Sequence, residues 1–208
     1  RDNRRTASGL AMQAPASTVR RRAVALILLL LLSAAPLVPV AVGAAPRSTT
    51  VWSGTVVLQD GYTVESGDIL VVQSGTTIQL GDDETILVAG RLTMQGTTTA
   101  PVLLESITGN HDGIVFNSSS NGLGSKIENL TITDAEYGVT VYDSNPTLND
   151  LRIINADRVA VDLFDSASPR INDLVIDGGG QDVHGFSTSW RYGIGLSVGA
   201  YSAPIVDG

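Results

Sequence analysis

The sequence predicts an all-β chain wound as a parallel solenoid, and three observations carry that prediction. Segments Lys126–Ile132, Thr147–Ile153 and Arg170–Ile176 align with one another at offsets of 21 and 23 residues. Apolar and polar residues alternate within them in pieces of three to five residues, the period-2 pattern of a strand. No amphipathic helix of useful length is readable after residue 45. A hairpin meander needs longer strands and does not repeat so regularly. A coil of about 22 residues with three short strands, stacked on copies of itself, satisfies all three observations.

The chain opens with an address rather than with structure. Arg20-Arg21-Arg22 precedes Ala23-Val24-Ala25-Leu26-Ile27 and a leucine run to Leu32, and the segment ends on Val42-Gly43-Ala44. A basic n-region, an apolar h-region and a small-residue cleavage site make residues 1–44 a signal peptide helix cut after Ala44. Met12 serves as a true start, which places 1–11 upstream of it. The alternative is an uncleaved signal anchor, since residues 23–42 are long enough to span a bilayer. Either way the remainder faces outward.

Residues 50–208 are the solenoid. Its first half offers the strand pieces 55–58, 68–72, 76–80, 85–88, 91–94, 102–105 and 113–116, punctuated by Gly54, Gly61, Gly67, Gly75, Gly81, Gly90 and Gly96. The second half repeats more clearly. Stacking the aligned segments puts Ile127, Leu148 and Ile171 in one interior ladder. Leu130, Leu151 and Leu174 form a second, and Ile132, Ile153 and Ile176 a third. Asn129, Asp150 and Asp173 fall at a sharp bend, where Asn and Asp tolerate the left-handed conformation. A second block, Gly138–Ser144, matches Ala160–Ser166, and Asn145-Pro146 and Ser168-Pro169 follow. The third unit is longer by about 12 residues, inserted around Gly178 to Trp190. Ala203–Gly208 begins another coil without a visible cap, so the expectation is a fold incomplete at its C-terminus.

These residues carry a family resemblance. The stretch from Ser53-Gly54-Thr55-Val56 through Ile107, with His111–Phe116, looks like the opening of secreted right-handed parallel β-helix proteins. Lys126–Ala156 looks like their repeat. The resemblance is to the pectate-lyase-like superfamily, particularly the β-helix repeat proteins of archaeal and bacterial cell surfaces, and covers roughly residues 50–208. It implies a right-handed, single-stranded parallel β-helix. It does not assign an activity: many relatives are polysaccharide lyases or hydrolases, and the fold hosts other roles.

Composition removes several function classes. The absence of cysteine excludes a disulfide framework, Cys-ligated zinc, iron–sulfur clusters and thiol catalysis. Of 13 basic residues, six arginines lie before residue 45 with one acid, Asp2. The remainder has 7 basic and 20 acidic residues, a net charge of −13, with Lys126 its only lysine. Such a surface repels phosphate backbones and anionic lipid, so nucleic acid is excluded as a partner. A membrane enters only through the N-terminal signal segment or an anchor beyond Gly208. No Ser-His-Asp order, phosphate loop, HExxH or dinucleotide fingerprint occurs.

Carbohydrate-cleaving relatives use grouped carboxylates or a calcium–base pair, and three places fit that chemistry. Asp177, Asp182 and His184 lie in or beside the insertion, where a solenoid places binding loops and where they could meet at a site; they read first as a flexible polar loop whose acids face water. His111-Asp112-Gly113 precedes a strand and reads first as a packing or turn motif. Asp82, Asp83 and Glu84 offer oxygen ligands for calcium, the one ion expected; otherwise they form a solvated turn and no cofactor is required. The repeat acids Asp143, Asp162 and Asp165, with Arg152, Arg158 and Arg170, are expected as outward ladders on one flank. Tyr142, Phe164, Trp190 and Tyr192 are the candidates for stacking on sugar rings. Asn117 and Asn129 head glycosylation sequons.

The expectation is therefore a secreted or cell-surface module that binds a glycan or a surface protein without catalysis. The competing class is a polysaccharide lyase or glycoside hydrolase acting on acidic polysaccharide. A third reading is a structural stalk.

Overall fold

Short alternating segments satisfy their backbone polar groups only through neighbouring coils, and here they do so in parallel. The computed structural model describes residues 48–179 and 193–207. The expected leader, residues 1–44, lies outside them. The described residues form a parallel β-solenoid of about six turns, and among them the one helical element is a 3-10 turn at Ser118–Ser120. No helix among the described residues is long and apolar enough to cross a membrane.

Each coil lays strands on three faces. The first face holds β1 (Thr49–Trp52), β4 (Ile69–Val72) and β7 (Arg91–Gln95). It continues through the opening residues of β10 (Lys126–Tyr142), β11 (Thr147–Phe164) and β12 (Arg170–Gly179), then β14 (Ile205–Asp207). The second face stacks β2 (Thr55–Leu58), β5 (Thr77–Leu80) and β8 (Val102–Ser106) under the middles of β10, β11 and β12. The third stacks β3 (Tyr62–Val64), β6 (Ile86–Val88) and β9 (Ile114–Phe116) under the ends of β10 and β11, with β13 (Ile194–Val198) following.

The register realises the three ladders read from the repeat. Ile127 pairs with Leu148 and Leu148 with Ile171; Leu130, Leu151 and Leu174 stack likewise, as do Ile132, Ile153 and Ile176. All are fully buried except on the last of these coils, where Leu174 is half-buried and Ile176 is exposed. The earlier coils fill the same core with Leu70, Val72, Ile78, Leu80, Ile86, Val88, Leu92, Met94, Leu104, Ile114 and Phe116. In the first coil Trp52 meets Tyr62 edge-on, ring centroids 4.8 Å apart.

β10 and β11 run unbroken across two faces and into the third because single left-handed residues bend them without ending the ladder. Asn129, Asp150 and Asp173 take φ of 46°, 52° and 55° at the first bend. Asp134, Asn155 and Gly178 take 57°, 57° and 73° at the second. Their short polar side chains make this conformation accessible at little cost. One position before the first bend, the Asn172 amide donates to Asn149 Oδ1 of the preceding coil at 2.6 Å.

Irregular lengths are absorbed at the corners. Residues 117–125 leave the third face as a loop pinned from both ends. The Ser120 and Ser144 hydroxyls share a buried hydrogen bond at 2.8 Å, Gly122 N–H donates to Asn145 Oδ1 at 2.9 Å, and Ser125 Oγ accepts from Leu92 N–H at 3.1 Å.

Leu151 is 1 % exposed in the middle of its ladder, so Leu151→Ala lowers unfolding free energy by about 3 kcal/mol in urea titration. Val57→Ala, on the outward side of the second face, changes it by less than about 0.5 kcal/mol. Asp150→Val, which forces a β-branched residue into the left-handed bend, lowers it by about 1–2 kcal/mol.

Candidate functional site

The outward side chains of adjacent rungs lie about 4.8 Å apart, so residues in one register column form a continuous surface strip. On the third face the column of Tyr142 and Phe164 is aromatic on two successive rungs. Tyr142 is exposed and Phe164 half-buried. Each is followed by an aspartate, Asp143 and Asp165, with nearly identical left-handed φ of 44° and 43°. The Tyr142 hydroxyl donates to the Asp165 carboxylate, which holds the phenol above its ordinary range; the negative charges of Asp165 and then Asp143 add to the effect. The result is a two-ring platform edged by two carboxylates. Trp190 and Tyr192, the other predicted stacking residues, lie outside the described residues.

A second polar cluster occupies the corner between the second and third faces. His111 is fully buried. Its Nδ1 accepts from Gly113 N–H at 2.9 Å, so Nε2 carries the proton and donates to the Thr133 carbonyl at 3.1 Å. Burial lowers the imidazole pKa, against the opposing effects of the Thr133 carbonyl and the Asp134 charge. Gly113 has φ of 66°, and a Cβ there would sit 2.1 Å from the Gly138 carbonyl. The His-Asp-Gly run thus ties one coil to the next, with both ring nitrogens engaged.

Beside it, Asn110 donates to Asp157, and Arg158 pairs with Glu136 and donates to the Tyr137 hydroxyl at 3.2 Å. The Arg158 guanidinium also lies 5.8 Å from the centre of the Tyr137 ring. Asp112 Oδ1 is buried without a hydrogen-bond partner. Desolvation raises the Asp112 pKa, and the charges of Glu136, Asp83 and Glu84 raise it further while Arg158 opposes them.

The remaining sequence candidates are dispersed. Asp177 pairs with Arg152 at 2.9 Å on the exposed second face; Asp182 and His184 lie outside the described residues. Asp82 Oδ1 accepts from Asn110 N–H of the following coil at 3.1 Å, Asp83 takes a left-handed φ of 58°, and Glu84 packs toward Gly61 of the preceding coil. The Asp82 and Glu84 carboxylates are drawn to coils on opposite sides. Among the described residues no group of three His, Asp or Glu is arranged to hold a metal ion. Asn129 Nδ2 donates to the Gly96 carbonyl at 3.3 Å within the bend, whereas Asn117 caps the 3-10 turn, its Oδ1 accepting from Ser119 N–H at 2.9 Å.

Of the acids and arginines expected in ladders on one flank, Asp143 and Asp165 share a strip of the third face, but the arginines do not join them. Arg152 pairs with Asp177 on the second face, Arg158 with Glu136 at a corner, and Arg170 with Asp207 on the first face. The physical reason is that the three arginines belong to different register columns, and only residues of one column share a strip. Asp162, outward by parity on the third face, is only 1 % exposed.

No family model, curated protein or solved structure matches the chain.

The imidazole and carboxyl of residues 111 and 112 give opposite pH signatures. His111 titrates lower when folded than the ordinary value of about 6.5, so the unfolded chain binds more protons as pH falls below it and stability drops. Asp112 titrates higher when folded, so the folded chain binds more protons above the ordinary carboxylate range and stability falls as pH rises through that window. Chemical denaturation from pH 4 to 8 therefore shows the acid-side loss diminished in His111→Gln, and the loss with rising pH diminished in Asp112→Asn.

Proposed function

We propose that this chain is a secreted or surface-anchored solenoid that binds glycans without cleaving them, serving as an adhesion or surface module. The single observation that carries the proposal is the aromatic pair Tyr142 and Phe164 on successive rungs, edged by Asp143 and Asp165. Sugar rings present apolar faces to aromatic surfaces and hydroxyl groups to carboxylates, so such a strip offers both contacts at one spacing.

The use made of other acids supports a non-catalytic reading. Glu128 pairs with Lys126, Asp177 with Arg152, Glu136 with Arg158 and Asp207 with Arg170. Glu105 accepts from Gln79 at 2.8 Å, and Asp157 from Asn110. All but Glu128, whose partner lies on its own strand, bridge different coils and hold them in register. The leader-like sequence before residue 45 supports export, and the resemblance of residues 50–208 to the right-handed pectate-lyase-like superfamily supports a carbohydrate ligand.

One observation favours the alternative of a lyase or glycoside hydrolase. Asp112 combines an unpartnered buried oxygen with a raised pKa beside Glu136 and Glu84, as a general acid requires.

Affinity measurement by isothermal titration against a panel of neutral, amino and acidic oligosaccharides separates the two. The expected result is binding without release of reducing or unsaturated ends. Tyr142→Ala weakens it by about tenfold, roughly 1.4 kcal/mol, with the unfolding midpoint little changed. Cleavage that disappears in Asp112→Asn overturns the non-catalytic reading.

A further inference from the structure

The third-face platform has a sign as well as a shape. Asp143 and Asp165 follow the two aromatic residues in the same left-handed conformation on successive rungs, so their carboxylates edge the same strip. Among the described residues, the cations of the second half of the solenoid are committed elsewhere. Lys126 and Arg170 belong to the first face, Arg152 to the second and Arg158 to the corner before the third, each matched to its own acid. The charges that act on the Tyr142 hydroxyl are those of Asp165 and Asp143. The chain after residue 44 is itself strongly acidic, so the local field is reinforced rather than offset.

From this geometry we infer that the Tyr142–Phe164 strip selects an amine-bearing glycan, cationic at neutral pH, and rejects polyuronates. The inference rests on the glycan-binding reading above and fixes the class of sugar within it. A uronate brought onto the rings places like charges beside two carboxylates. A glucosamine-type residue places an ammonium group there and keeps an apolar ring face for Tyr142 and Phe164. Chemistry that distinguishes sugars by charge rather than by hydroxyl pattern needs no enclosed pocket, which suits an open strip.

Three probes of matched length test it by isothermal titration: a fully deacetylated glucosamine oligomer, its N-acetylated counterpart, and an oligogalacturonate. The expected order at low salt is deacetylated, then N-acetylated, then oligogalacturonate. Raising the ionic strength narrows the first gap, because screening acts on the exposed carboxylates. The double variant Asp143→Asn, Asp165→Asn keeps residues that accept the left-handed conformation, so the strip stays folded. It weakens deacetylated-oligomer binding about fivefold, leaves N-acetylated binding nearly unchanged and removes the salt dependence.

Tyr142→Ala weakens both glucosamine-type ligands. Oligogalacturonate binding that equals or exceeds the deacetylated oligomer and is lost in Tyr142→Ala overturns the charge selection while leaving the glycan-binding reading intact. Failure of every oligosaccharide to bind, with the wild-type solenoid folded by circular dichroism, overturns that reading together with the inference.

Discussion

Parallel, in-register stacking is the constraint on which every other feature depends. A coil has no internal partner for its backbone N–H and C=O groups; it finds them only in the coils before and after. Once Ile127 pairs with Leu148 and Leu148 with Ile171, the side chain above any interior position is determined. Apolar residues at those positions bury one another, and a polar intruder would lie between two layers with no water. The bends follow from the same demand. A strand must turn from one face to the next without losing its neighbour, and a single left-handed residue does so while the hydrogen-bond ladder continues. Asn129, Asp150 and Asp173 meet this need in three consecutive coils.

Sequence legibility tracks how strictly a residue is held by this stacking. The interior ladders and the first bend can be read directly, because offsets of 21 and 23 residues bring like residues together. The matched blocks that contain Tyr142 and Phe164 also reveal that those rings share a column. The first coil is less transparent. β1 and β3 escape the sequence reading: Tyr62–Val64 offers only three residues between turns, and Thr49–Trp52 stands before any clear repeat. The continuity of β10 and β11 is likewise hidden, since a bent strand and two separate strands have the same alternation. Side-chain partnerships are the least legible. That the Tyr142 hydroxyl reaches Asp165, or that His111 spans to Thr133, depends on which atoms the neighbouring coil presents. The arginines mislead because proximity to an aligned block says nothing about the direction in which a column faces.

Charge is distributed to match these roles. On the first and second faces acids and bases meet as neighbours, exemplified by Arg170 with Asp207 and Arg152 with Asp177. Exposed pairs of this kind add little stability individually. Their effect is to leave those faces electrostatically quiet, so that the carboxylates beside Tyr142 and Phe164 stand out against them. The buried His111 network contributes differently, by fixing a corner that a flexible loop would otherwise blur.

The loop at residues 117–125 shows what such an architecture permits. It departs between two strands, is fastened by Ser120, Gly122 and Ser125, and returns the chain to the rung it would have entered anyway. Added length therefore leaves the axial pitch undisturbed. Corners can lengthen, shorten or change composition one storey at a time while the wall behind them stays plumb, so a lineage can diversify what it displays without rebuilding what carries the display.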